Sequence, residues 1–235
     1  MSSQKPVNKQ ESHLIKKVIM KALIFANGNP EEGVMVHRAL SDSESAQIIV
    51  ADGGARVAWH YQKSPDTVIG DMDSLSETEL QKLRDEGATL QKYPPEKDET
   101  DLELALKFAV DEGATWIRII GAIGGRFDQM LANVYLLSLP ELRNCDVAIV
   151  ADNQLMRILY AGEHPLEASI GDTISLIPIN GDVTDIRTTG LQYPLKGETL
   201  HFGPARGISN VVINTQAKIS FAEGVLLCVH TQGRA

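Results

Sequence analysis

Short apolar runs recur through the first two thirds of the chain, and stretches with helical spacing separate them. "VIMKALIFA" (18–26) is apolar and ends at the turn signal "NGNP". "EEGVMVHRALSD" follows with apolar residues at helical spacing. "AQIIVA" (46–51) predicts a second strand, and "DGGARVAWHYQ" a turn and a helix. "DTVIG" (66–70) is a third strand. "SETELQKLRDEG" (76–87) is a helix opened by a Ser76–Glu79 capping box and stopped at Gly87. "ATLQKYP" is a fourth strand. "DETDLELALKFAVDEGA" places Leu102, Leu104, Ala105, Leu106, Phe108 and Ala109 on an amphipathic helix, with a second capping box expected from Thr100 and Glu103. "WIRIIG", the helix "FDQMLANVYLLSLP" stopped by Pro140, and the strand "DVAIVA" (146–151) complete the series. Apolar strands that do not alternate, separated by helices, predict a mostly parallel sheet with helices on both faces.

From 156 onward no helical period survives. "MRILYA", "DTISLIPI", "VTDIRT", "GLQYPLK", "NVVINT", "AKISFA" and "GVLLCVH" are short strand-like runs spaced by Gly, Asn, Asp and Pro. They predict a small all-β sandwich or barrel. With a boundary near 153–157, the expected organisation is a loose tail (1–17), an α/β domain (18–155) and a β-rich domain (156–235). The first 17 residues are polar, with Lys5, Lys9, Lys16 and Lys17, and no apolar stretch long enough for a signal peptide or membrane span follows them.

Composition narrows the partners. The chain has 235 residues, 43% hydrophobic and 23% charged, with a net charge of −9. An acidic protein without a basic stripe is a poor binder of nucleic acid or of a membrane surface. Cys145 and Cys228 each sit in an apolar run and form no CxxC pair, which predicts a reducing, cytoplasmic setting. The six histidines show no metal-ligand pairing, and no nucleophile–base motif is visible.

In a parallel sheet, the loops after the strands share one rim, and ligands bind there. Asp52 follows the second strand, and Asp71 and Asp73 the third. Asp98 and Asp101 follow the fourth, Asp128 the fifth, and Asn27 leaves the first. Each alone reads as a turn or a helix cap. Together they are mutually repelling carboxylates in an already acidic protein, a costly arrangement without a cation. Magnesium takes oxygen ligands and leaves positions open for phosphate oxygens, so "GDMDS" points to a magnesium–polyphosphate site. "GAIGGRFD" supplies Gly121, Gly124 and Gly125 before a helix, a setting for phosphate, although it is neither a Walker loop nor GxGxxG. Arg126 is a forked phosphate donor, and Arg56 and Lys97 are weaker candidates.

"ANGNP", "ADGGA", "GDMDS", "KDETDLELAL", "GGRFDQMLAN" and "RGISN", in that order, resemble the thiamine pyrophosphokinase family from about residue 19 to the C-terminus. The resemblance implies transfer of a diphosphate from ATP to the hydroxyethyl group of thiamine, with magnesium as cofactor, giving thiamine diphosphate and AMP. It implies an α/β domain joined to a β-rich domain, and a homodimer with thiamine near the subunit interface. Asp71 and Asp73 match the metal-binding "GDxDS", beside Ser74. Asp98 and Asp101 match "DxTD", also on the metal, with Thr100 near the phosphates. Arg126, Asp128 and Gln129 match "GRFDQ", and Ser209 and Asn210 match the "SN" of the thiamine pocket. Asp71, Asp98 and Asp128 are candidates for the group that takes the alcohol proton. Phe202, Tyr193 and His201 are candidates for a platform under thiamine. The competing readings are a DxD-type nucleotide-sugar transferase and a non-catalytic thiamine or nucleotide sensor. The first leaves "DxTD" and "RGISN" unexplained, and the second needs fewer carboxylates.

Overall fold

The computed structural model describes residues 19–234. The expected tail at 1–17 lies outside the described residues. The strands β1 (Met20–Phe25), β2 (Gln47–Ala51), β3 (Thr67–Gly70), β4 (Thr89–Lys92), β5 (Ala114–Ile120) and β6 (Asp146–Ala151) form a parallel sheet in the order β6-β5-β1-β2-β3-β4. The chain winds outward from β1 to β4, then returns to place β5 on the other side of β1. The sheet therefore reverses its winding between β1 and β5.

Helices cover both faces, as the non-alternating strands predict. On one face α1 (Val34–Asp42), α2 (Ala55–His60) and α3 (Glu77–Asp85) bury Met35, Val36, Val57, Ala58 and Leu83 against Leu23, Phe25, Val50 and Val68. On the other face α4 (Asp101–Asp111) buries Leu102, Leu104, Ala105, Leu106 and Ala109 against Ile24, Ile49, Ile69 and Ile119. The helix α5 (Phe127–Leu136) is different. None of its residues is buried, and only partly buried Val134 and Leu136 pack against that core. It ends before Pro140, which opens a short 3-10 turn.

The Ser76–Glu79 capping box is present in both halves. At α4 only one half forms: Thr100 Oγ1 accepts from Glu103 N at 3.2 Å, while the Glu103 carboxylate pairs with Lys107 at 2.7 Å. A charge partner one turn on has drawn the carboxylate away from the cap.

The β-rich half continues the same sheet. β7 (Gln154–Pro165) pairs antiparallel with β6 across a tight Asp152–Asn153 turn, and β12 (Lys218–Thr231) pairs along β7. The proposed division at 155/156 therefore falls inside β7. β8 (Thr173–Pro178), β9 (Val183–Thr189), β10 (Lys196–Leu200) and the two-residue β11 (Asn210–Val211) complete a second layer around its own core of Leu159, Ile174, Val183, Ile186, Ile219, Phe221 and Leu226. Three local expectations change. "AKISFA" and "GVLLCVH" are one strand, bent at a register shift between Phe221 and Val225, where Gly224 takes φ +107°. "GLQYPLK" contributes only the Leu191–Val212 bridge before Pro194, which cannot donate to a ladder, and its last residue, Lys196, opens β10. "NVVINT" keeps only Asn210–Val211 as strand.

Candidate active site

The loops that leave β1 and β5 touch at the winding reversal, where an open α/β sheet offers its ligand crevice. Ala26 N donates to Ile120 O at 2.9 Å. A Cβ on Gly28 would lie 2.2 Å from Gly121 O, and one on Gly54 would lie 2.1 Å from Phe25 O. Only glycine lets these backbones close so tightly. The result is a polar cleft of about 730 Å³ along the strand-end rim.

Asp52 enters the cleft from a 3-10 turn directly after β2, with φ +43° and 6% exposure. Its Oδ1 is buried and has no hydrogen-bond partner. Asp71 and Asp73 leave β3. Asp71 Oδ1 accepts Asp73 N at 3.1 Å, and Met72 between them takes φ +68°. That turn directs both aspartates to the rim while Met72 packs into the core. One ligand oxygen from each of Asp52, Asp71 and Asp73 lies within 4.8 Å of the others. An all-oxygen carboxylate set with an unpartnered buried oxygen fits a hard divalent cation such as magnesium.

Asp101 opens α4 beside this group. A Cβ on Gly70 would lie 3.1 Å from both the Asp101 carboxylate and Asp52 Cβ, so the two aspartates flank that glycine. Burial pushes the Asp101 carboxyl above its ordinary range; Lys97 pulls it down, and Asp52 and Asp71 add to the rise. Lys97 Nζ sits 2.9 Å from Asp101 Oδ1, an ion pair at the edge of the acidic group. Thr100 also lines the cleft. Asp98 is exposed and is not among the lining residues.

The opposite wall comes from the β5–α5 loop. Gly124, Gly125, Arg126, Gln129 and Asn133 line it. Arg126 is exposed and forms an ion pair with Asp128 at 2.5 Å, which holds the Asp128 carboxyl below its ordinary range. Asp128 does not line the cleft. Arg56 is engaged elsewhere, with Glu79 at 2.6 Å and with Ser74 O at 2.6 Å; it braces the loop that carries Ser74. Asn29, Glu99 and Asn133 also line the cleft; they lie within "ANGNP", "KDETDLELAL" and "GGRFDQMLAN", but those motifs alone do not single them out. Asn133 lies one turn beyond Gln129, so the phase of α5 was the available signal.

Ser209 and Asn210 lie apart from this cleft. Asn210, with Leu176, Tyr193, Leu195, Arg206 and Ile208, lines a smaller hollow of about 200 Å³. The Asn210 amide is spent on its neighbours: Oδ1 accepts Tyr193 N at 3.0 Å, and Nδ2 donates to Tyr193 O at 2.7 Å. Ser209 takes φ +57°, and its N–H donates to Ser175 Oγ at 3.0 Å. Tyr193 borders this hollow, whereas Phe202 and His201 do not; His201 Nδ1 pairs with Asp182 at 2.7 Å.

These features define a class: a doubly wound α/β protein with a carboxylate- and glycine-lined cleft at its winding reversal, continued through one sheet into a β-rich half. Two family models match the chain, "Thiamin pyrophosphokinase, catalytic domain" over residues 39–151 and "Thiamin pyrophosphokinase, vitamin B1 binding domain" over 163–226. The thiamine pyrophosphokinase of Bacillus subtilis is 30% identical over 213 residues, 90% of this chain and 99% of that protein. The crystal structure of thiamine pyrophosphokinase from Bacillus subtilis superposes with a TM-score of 0.80 at 26% identity, covering 90% of this chain and 99% of that one. That of Geobacillus thermodenitrificans superposes with a TM-score of 0.78 at 28% identity, covering 91% and 98%. The chain belongs to the thiamin pyrophosphokinase family.

Proposed function

We propose that the chain transfers the pyrophosphoryl group of ATP to the hydroxyethyl oxygen of thiamine, forming thiamine diphosphate and AMP. The observation that carries this reading is the convergence of Asp52, Asp71 and Asp73 within 4.8 Å on the cleft rim, in a chain matched by both family models. Asp71 and Asp73, with Asp52 as a third ligand, would hold magnesium; Asp101 borders them, and Asp98 belongs to the same expected set. Bound there, magnesium supplies charge neutralisation to the triphosphate and to the leaving oxygen.

The remaining work falls to the chain. Backbone N–H groups of the Gly124–Gly125 loop, Arg126 and Gln129 bind phosphate oxygens, with Thr100 and Ser74 on the facing wall. The alcohol oxygen bonds to the β-phosphorus. The bond from that phosphorus to the oxygen bridging the α-phosphate breaks, and the oxygen leaves with AMP. Of the three candidate bases, Asp71 is favoured: Asp128 is engaged by Arg126, which weakens it as a base, and neither it nor Asp98 lines the cleft. The alcohol proton passes to Asp71 and then to solvent. The oriented groups of the cleft lower the barrier mainly by alignment.

Thiamine is assigned to the side of Ser209 and Asn210, with Tyr193 as the platform. The separation of that hollow from the acidic rim supports a homodimer in which two copies complete each site. The free thiols of Cys145 and Cys228 support a reducing, cytoplasmic location. Phosphorus NMR of a mixture with thiamine, ATP and magnesium tests the reaction. AMP should appear in step with thiamine diphosphate. Thiamine-dependent ADP and thiamine monophosphate without AMP would refute the assignment.

A further inference from the structure

Lys97 occupies an unusual place for a lysine. It precedes α4, whose first residue is Asp101, and the positive end of a helix dipole disfavours a cation there. Its side chain is nevertheless only 12% exposed. Its ammonium lies 2.9 Å from Asp101 Oδ1 and 3.4 Å from Pro94 O, and the charges of Asp101, Asp71 and Asp52 all act on it. Arg126, the other cation lining the cleft, is tied to Asp128. Lys97 is therefore the cation turned toward the carboxylate group, held there by its ion pair with Asp101 and by a long hydrogen bond to Pro94 O.

We propose that Lys97 is a tethered counter-ion: its ammonium compensates the Asp52–Asp71–Asp73–Asp101 group before a divalent cation binds, and metal binding releases it to the triphosphate. The inference rests on the reading of Asp52, Asp71 and Asp73 as metal ligands. The physical reason is competition. A divalent cation on Asp52, Asp71 and Asp73 would repel an ammonium seated on the adjacent Asp101, so metal binding favours departure of the lysine. The loop from Pro94 to Thr100 then carries the freed charge along the cleft wall toward the phosphates. Lys97 would thus exchange one anionic partner for another and never stand uncompensated.

The test is a titration of nucleotide-free protein with Mn2+ at low ionic strength, followed by electron paramagnetic resonance. Lys97→Met keeps the length and removes the charge, and Lys97→Arg keeps the charge. Lys97→Met should bind Mn2+ about tenfold more tightly than the wild type, as expected from removing a unit charge near a divalent one, and Lys97→Arg within about twofold of the wild type. Lys97→Gln serves if the methionine variant does not fold. In steady-state assays the neutral variant should raise KM for ATP several-fold and leave KM for thiamine unchanged. Unchanged or weaker Mn2+ binding by the neutral variant would overturn the counter-ion role while the metal reading stands. An unchanged KM for ATP would overturn the release to phosphate. Wild-type protein that binds no Mn2+ would overturn the metal reading itself.

Discussion

At the scale of single residues, opposite solutions to buried charge stand in the two halves. Asp52 is left with an unpartnered oxygen in the cleft, whereas Asp172 is fully engaged: it accepts Ser169 N at 2.8 Å and Gly233 N at 2.9 Å, and it meets His230 Nε2 at 2.8 Å. The first is an arrangement for a ligand and the second for stability, and substitution separates them. Asp71→Asn keeps the oxygen that accepts Asp73 N and removes the charge. Turnover should fall on the order of 100-fold or more, with the thermal midpoint unchanged or raised, because mutual repulsion on the rim is relieved. Paired assays of rate and melting check this, and full activity would show that the pair merely shapes a turn. For Asp172, burial pushes the carboxyl up, but the hydrogen bonds from Gly233, His230 and Ser169 outweigh it and the net shift is downward. A lowered folded value means stability that is present above the unfolded value of about 3.9 and lost as pH falls through the folded one. Asp172→Asn should therefore cost about 1–3 kcal/mol at neutral pH and flatten the loss of stability below about pH 4, measurable by denaturant unfolding across pH.

At the scale of elements, the rim depends on how helices begin and how closely loops meet. The two-sided Ser76–Glu79 box fixes the start of α3, and Ser76→Ala should cost about 1 kcal/mol in denaturant unfolding with activity retained. Gly54→Ala is harsher, because its Cβ would lie 2.1 Å from Phe25 O and backbone cannot step aside. A loss of about 1–3 kcal/mol is expected, with lower activity as the Asp52 turn is displaced. These starts and stops were legible in the chain because caps and periodicity are local signals. So was the convergence of Asp52, Asp71 and Asp73, which follows from strand direction alone. The split within "DxTD" was not. Helix α4 begins at Asp101, so Asp98 stays in the proline-bearing loop on the exposed side while Asp101 faces Gly70. Three residues in a loop do not have a fixed phase, whereas three residues in a helix do. In the β-rich half, Gly224 had the look of a turn and proved to be a bend within one strand. A glycine marks a positive φ without saying whether the chain reverses there.

At the scale of the whole molecule, one sheet joins both halves through the antiparallel β6–β7 pair. The two-residue Asp152–Asn153 turn between apolar runs is a local hairpin signal, but the change of pattern there reads as a boundary between domains rather than as a connection within one sheet. The hairpin also reaches α1: Asn153 Oδ1 accepts Val34 N at 3.0 Å, an N-terminal cap from another element where Gly33 offers none. The surface left over bears on assembly. α5, with Arg126 at its N-cap position, carries Gln129 on the cleft wall, yet it leaves Phe127 72%, Leu131 41% and Tyr135 47% exposed at four-residue spacing. Such a stripe lies on one helix face, and an apolar face of that kind is covered in most folded chains. A second copy is the occupant consistent with the proposed homodimer. Leu131→Glu places a charge in the middle of the stripe without touching a lining residue. Sedimentation at micromolar concentration should show a dimer for the wild type and a monomer for the variant, and KM for thiamine should rise far more than KM for ATP. A wild-type monomer with full activity would refute the shared site, and a variant that stays dimeric would place the interface on another face.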